Sequence, residues 1–279
     1  LADGTADENP ETAADFERLL ASSPNSSEIW ILYMAFYLTL ANVPAAREIA
    51  NRAFARIEFR EEREKLNVWC ALLTLELKFG SDEALQETLD RACQHNNPKH
   101  VYLRVCEMME KQEHSKTAEM FEKMCKRFRD KKSVWIAYME YLLKNKHNEE
   151  AQNISKRALL SLKPYKHVET MTKFAIFMFQ YGNVDKARTI FEGLLVKYPK
   201  RLDLLFVYLD KEVKHGEIAR ARSIYTRVPN PNDDTLRMKL NDKQMKKFFK
   251  KWYHFEEQHG TEESQENVKD AARRYVEQS

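Results

Sequence analysis

Five lysines towards the end of the chain, Lys243, Lys246, Lys247, Lys250 and Lys251, recur at i, i+3, i+4, i+7 and i+8. On an α-helix that spacing gathers them into one ridge. Met245, Phe248, Phe249, Trp252 and Phe255 fall on the other side, at the spacing of a buried stripe. The ridge is either the solvated face of a terminal helix or a row of phosphate contacts. A row touching about five phosphates of single-stranded RNA would give affinity a log–log salt slope of roughly −3.5. A second basic cluster, Lys126, Arg127, Arg129, Lys131 and Lys132, is interrupted by Asp130. It reads as a solvated link between structural units, as an extension of an RNA path, or as a contact for an acidic partner helix.

Catalytic chemistry finds less material. The eight histidines are scattered, and the pairs His95 with His100 and His254 with His259 are five apart, which does not put two ligands on one helical face. No H-E-x-x-H, Walker A loop, G-x-S-x-G or dinucleotide glycine pattern is present, and six glycines leave little from which to build phosphate loops. The sequence therefore predicts no catalytic residues, no metal site, no cofactor and no small-molecule substrate. The four cysteines, Cys70, Cys93, Cys106 and Cys125, show no C-x-x-C pairing and are expected as free, partly buried thiols in a reducing compartment. A net charge of +3 on a chain that is 32% charged describes a surface with little overall sign, which does not by itself argue for nucleic acid. No run approaches the roughly 18 apolar residues that span a bilayer, so no membrane partner is expected.

The elements that position these residues repeat. A first helix can be phased on Trp30, Trp69, Tyr102, Trp135, Met171, Leu205 and Phe249, and three residues on lie Tyr33, Leu72, Val105, Tyr138, Phe174, Tyr208 and Trp252, all apolar or aromatic. The aromatic stripe is periodic in the manner of a helical core rather than a base-stacking platform. Eleven residues from four of the starts comes a glycine, Gly80, Gly182, Gly216 or Gly260, expected to close the helix in the left-handed conformation. Fifteen or sixteen residues from the start come Ala46, Ala84, Ala118, Ala151, Ala187 and Ala221, small enough to let a second helix lie close to the first. Pro98, Pro164, Pro199 and Pro229 fall between units, where a residue that cannot continue a helix belongs. A period near 34 residues is that of helical hairpins of the tetratricopeptide class, which bury their faces only against neighbours.

Residues 1–12 are acidic and expected to be disordered; 13–279 form the repeat domain. A short helix around Phe16, Leu19 and Leu20 covers its first end, residues 229–242 make a loop, and repeat seven (243–279) is irregular because Gln265 stands where alanine is expected. The patterns Ala187-Arg188-Thr189-Ile190-Phe191 and Ala221-Arg222-Ser223-Ile224-Tyr225, with the Trp-x-x-Tyr of the first helices, resemble the half-a-TPR (HAT) family. The acidic residue that HAT repeats favour late in the first helix is matched by Glu76, Glu212 and Glu256, but not by Tyr37, Met109, Leu142 or Met178. The fold expected is all-α: a right-handed α-solenoid of about seven HAT hairpins with a short N-terminal capping helix.

Narrower stretches carry a closer resemblance. Ala14-Asp15-Phe16-Glu17-Arg18-Leu19-Leu20, Phe59-Arg60-Glu61-Glu62-Arg63-Glu64-Lys65-Leu66-Asn67-Val68-Trp69, Tyr198-Pro199-Lys200-Arg201-Leu202-Asp203-Leu204 and Lys246-Lys247-Phe248-Phe249-Lys250-Lys251-Trp252 resemble the C-terminal HAT region of the ribosomal RNA-processing protein five family, in animals the programmed cell death protein eleven family. The resemblance implies S1 RNA-binding domains upstream in the full-length chain. It further implies a non-enzymatic, nucleolar scaffold that organises pre-ribosomal RNA, small nucleolar ribonucleoprotein and ribosome assembly proteins in the small-subunit processome, touching RNA directly or through those proteins. The alternative from the repeat pattern alone is a HAT scaffold in pre-mRNA splicing or mRNA 3′-end processing, as a monomer or a homodimer.

Overall fold

The computed structural model describes residues 10–230, 236 and 238–278. Among the described residues there are fifteen α-helices, one 3-10 turn and no strand. The fold is all-α, of the helical-repeat solenoid class, and the chain divides into two compact units, Leu1–Phe128 and Arg129–Ser279. The first holds α1 (Ala13–Ser22) and the hairpins α2–α3 (Ser27–Thr39, Val43–Arg56), α4–α5 (Glu62–Phe79, Asp82–His95) and α6–α7 (Pro98–Lys111, Thr117–Arg127). The second holds α8–α9 (Lys132–Lys144, Asn148–Ser161), α10–α11 (His167–Tyr181, Val184–Lys197), α12–α13 (Leu202–Lys214, Ile218–Arg227) and α14–α15 (Asp242–His259, Glu262–Gln278). In each unit the first helices of successive hairpins pack on one another, α2 on α4 on α6 and α8 on α10 on α12.

The aromatic stripe is the core. Tyr33, Leu72, Val105, Tyr138, Phe174, Tyr208 and Trp252 are all buried. The tryptophans also use their one polar atom. Trp30 Nε1 donates to the Pro24 carbonyl and Trp135 Nε1 to that of Arg129, each at 2.9 Å and each six residues upstream, so the ring fastens the incoming link. Residues 1–9 of the expected acidic segment lie outside the described residues, but Thr12 is ordered: it caps α1 reciprocally with Asp15. Phe16 of that helix stacks on Tyr33 at 4.8 Å and covers the first hairpin, while Leu19 stays 40% exposed. The serine-rich loop before α2 supplies no side-chain cap; Glu64, on the extra first turn of α4, accepts instead from Ser27 N at 2.9 Å. Much of the expected 229–242 loop lies outside the described residues; Leu236 is buried, and Lys239 N donates to Pro199 O at 2.8 Å.

Two expectations need correction. Ala46, Ala151, Ala187 and Ala221 are wholly buried, but Ala84 and Ala118 are half-buried, and Leu85 and Thr117 take the facing position. Gln265, where alanine was expected, is half-buried and accepts a hydrogen bond from the Tyr253 hydroxyl of α14 at 3.4 Å, while Val268 is the buried residue of α15. The glycines also act differently. The residue eleven on from each helix start closes one of two turn types. In four hairpins it is left-handed, and three of those four are not glycine: Ala41 (φ 55°), Glu113 (φ 52°) and Lys146 (φ 66°), with Gly216 at φ 87°. There a six-to-one bond returns to the first helix, as from His147 N to Leu142 O at 2.9 Å. Gly80 and Gly260 instead sit at φ −90° and −116°, open to any residue. What they lack is room: a Cβ would stand 2.2 Å from Oε2 of Glu76 or Glu256 and within 2.8 Å of the same residue's carbonyl oxygen.

Candidate nucleic-acid interface

α14 starts at an Asn241–Gln244 capping box, and its apolar side carries Met245, Phe248, Trp252 and Phe255, all buried, with the three rings packed on Tyr225 of α13. Phe249 is half-buried against Tyr275 of α15. That anchoring turns Lys243, Lys246, Lys247 and Lys250 outward, and all four are exposed. Among the described residues, none forms an ion pair with any of them. Lys251 leaves the row. Its Nζ lies 2.7 Å from Asp210 and 4.5 Å from the centre of the Phe206 ring, so it docks α14 on α12. The row thus offers four ammonium groups where the sequence suggested five.

Of the second cluster, three of the five side chains already have partners within their own unit. Arg127, at the end of α7, lies 5.3 Å from the Tyr102 ring centre and donates to its hydroxyl at 3.1 Å. Lys126 beside it is exposed. In the second unit, Lys131 pairs with Asp130 at 2.9 Å, Lys132 pairs with Glu169, and Arg129 is exposed.

Arginines that sequence reasoning passed over do structural work. Glu76, Glu212 and Glu256 are buried late in their first helices, and each is gripped from the second helix of the preceding hairpin, by Arg47, Arg188 and Arg222 respectively. The grip at Glu212 is two-pronged, 2.8 Å from Nε and 2.9 Å between the outer atoms. The carboxylate raises the Arg188 guanidinium well above its ordinary value by accepting these hydrogen bonds. The signal was present, since each arginine follows Ala46, Ala187 or Ala221 and each glutamate sits at the HAT acidic position, but nothing in one dimension joined the two. Gln152 stands at the arginine position in the fourth hairpin and Met178 at the glutamate position of the fifth, and there Gln152 Nε2 is buried without a partner. A further set stacks on the stripe itself: Arg52, Arg91 and Arg157 lie 5.8, 5.4 and 5.8 Å from the ring centres of Trp30, Trp69 and Trp135, each 22 residues upstream.

The cysteines are free; burial pushes the thiols of Cys70, Cys93 and Cys106 up, away from the reactive thiolate. Among the described residues no cluster of three or more His, Cys, Asp or Glu is placed to hold a metal ion, and no described helix is long and apolar enough to cross a membrane.

Hairpins with an aromatic first helix, a small residue in the second and an arginine–glutamate grip between neighbours define a helical-repeat protein of the HAT class, and the family model described as the PRP39 C-terminal HAT repeat matches residues 100–213. A mouse protein named Protein RRP5 homolog is 44% identical over 269 residues, 96% of this chain and 14% of its own length. The rRNA biogenesis protein rrp5 of Schizosaccharomyces pombe is 43% identical over 98% of this chain and 16% of its own length. The human Pre-mRNA-splicing factor SYF1 is 26% identical over 72% of this chain. The chain belongs to the RRP5 family, as its HAT-repeat region, and spans about a seventh of those RRP5 relatives' length.

Proposed function

We propose that this region is a non-enzymatic scaffold in ribosome biogenesis. It organises pre-ribosomal RNA, small nucleolar ribonucleoprotein and assembly proteins for processing in the small-subunit processome of the nucleolus. The observation that carries the reading is identity of 42–44% across at least 96% of the chain to proteins named for rRNA biogenesis or RRP5. The four outward lysines of α14 supply the phosphate contacts. The splicing reading has the SYF1 likeness in its favour, at 26% identity over a smaller share of the chain, and is the weaker of the two. Deleting this region from the protein in its own cells tests the proposal. Small-subunit rRNA precursors should accumulate while spliced messenger RNA stays at its normal level; unprocessed introns with normal rRNA precursors would reverse the assignment.

A further inference from the structure

In a run of antiparallel hairpins every link from a second helix to the next first helix lies along the same edge. In the second unit α10 packs on α12, which brings the links before them to the same edge, and two hydrogen bonds tie that edge at its two ends. Lys166 Nζ donates to the Asp130 carbonyl at 2.6 Å, and Gln244 Nε2 donates to the Lys200 carbonyl at 3.1 Å, which sets residue 200 against the start of the α14 lysine row.

Three carboxylates of this edge are already engaged, and Asp242 at the start of α14 is the exposed exception. Asp130 pairs with Lys131, Glu169 with Lys132, and Asp203 with Arg201 through two bonds of 2.8 and 2.7 Å. Lys163, Lys197 and Lys200 are exposed and, among the described residues, have no ion-pair partner; the one hydrogen bond of Lys166 goes to a neutral carbonyl. The lysine charges therefore exceed the exposed carboxylate of Asp242 beside them. Two successive links also carry a tyrosine with a lysine over its ring: Lys166 over Tyr165 at 5.6 Å, and Lys197 over Tyr198 at 5.7 Å. Tyr165 is 75% exposed, far outside the buried aromatic stripe, and its ring serves no packing that would explain it.

We infer that this edge, through Lys163, Tyr165, Lys166, Lys197, Tyr198 and Lys200, is a track for single-stranded RNA that continues onto the α14 lysines. Ammonium groups follow the phosphodiester backbone, and the tyrosine rings accept unpaired bases by stacking. A ring beside the lysines in two successive links, Tyr165 exposed and Tyr198 half-buried, favours nucleic acid over an acidic peptide, which needs the charges but not the planes. The inference rests on the reading that this region touches RNA directly.

Fluorescence anisotropy with a labelled oligouridylate of about 12 nucleotides, titrated across salt concentrations, tests it. Replacing Lys163, Lys197 and Lys200 with alanine should make the log–log salt slope shallower by roughly 2. Tyr165→Ala should weaken binding at fixed salt by roughly 5- to 100-fold, and Tyr165→Phe, which keeps the ring, should not. All of these side chains are on the surface, so melting curves should overlay; glutamine in place of each lysine provides a second set if they do not. If the unaltered protein binds the RNA and every variant binds equally well, the track is wrong while direct RNA contact stands. If the unaltered protein fails to bind at low salt, direct contact falls and the track with it. Displacement of the RNA by polyglutamate, with the tyrosine variants indifferent, would make the edge a seat for an acidic protein segment and overturn the inference.

Discussion

Glu212 has no exposed side-chain surface, and the Arg188 guanidinium that grips it is itself only 12% exposed. Arg188→Ala leaves the buried Glu212 with only the looser Arg220, 3.6 Å away, so it should destabilise the protein by up to about 3 kcal/mol, read by denaturant unfolding. An Arg188→Met variant paired with Glu212→Leu should recover most of that loss, because the pair's attraction is largely offset by its desolvation. Glu256 gives a pH signature. Burial pushes its carboxyl up, but hydrogen bonds from Arg222 and Ser264 together with the Arg222 charge outweigh that and hold it below its ordinary value of 4.5. A depressed carboxyl contributes stability that is fully present above the unfolded value and is lost as pH falls through the folded one. Thermal stability should therefore drop below about pH 4.5, and Glu256→Gln should flatten that part of the curve. Both residues of each grip were visible in the sequence, as the arginine after the alanine and as the HAT acidic position. Their pairing was not, because it crosses from one hairpin to the next.

Hairpins owe their existence to the periodic stripe, and this level was the most legible. All seven expected pairs of helices form, since a buried side chain every third or fourth residue leaves a helix few alternatives. Trp135 fills the core of α8 and donates to the Arg129 carbonyl, so Trp135→Ala should cost about 3–5 kcal/mol; an unaltered melting curve would contradict this phasing. Turns were read less well. Glycine marks the left-handed site only at Gly216, while Ala41, Glu113 and Lys146 adopt the same conformation against their preference. Lys146→Gly should relieve that strain and raise stability by up to about 1 kcal/mol, whereas Gly80→Ala should lower it although its φ is ordinary, because the new Cβ would strike the backbone of Glu76. Composition shows that a glycine is needed but not whether dihedral angle or crowding demands it. Ala118 shows the same limit: the turn before α7 is longer, the helix is rotated, and Thr117 is buried one place early, whereas Ala84 only stands one place before the regular position, which Leu85 fills.

At the scale of the molecule the charges divide into those that hold hairpins together and those that stand unpaired on the surface. Sequence could not sort them. Lys251 and three of the five lysines and arginines between 126 and 132 look like any other basic residue in one dimension; in three dimensions Lys251, Arg127, Lys131 and Lys132 already have partners. Reversing Lys243, Lys246, Lys247 and Lys250 to glutamate should accordingly remove about four phosphate contacts, making the salt slope of RNA binding shallower by roughly 2.8 without unfolding α14. The central claim, that the region assembles pre-ribosomal particles, is tested most directly by recovering the tagged protein from nuclear extract with and without ribonuclease, then sequencing the bound RNA and identifying the bound proteins. The account predicts pre-ribosomal RNA, small nucleolar RNA and small-subunit assembly factors, with part of the protein set surviving ribonuclease. Recovery of spliceosomal or 3′-end factors in their place would contradict it.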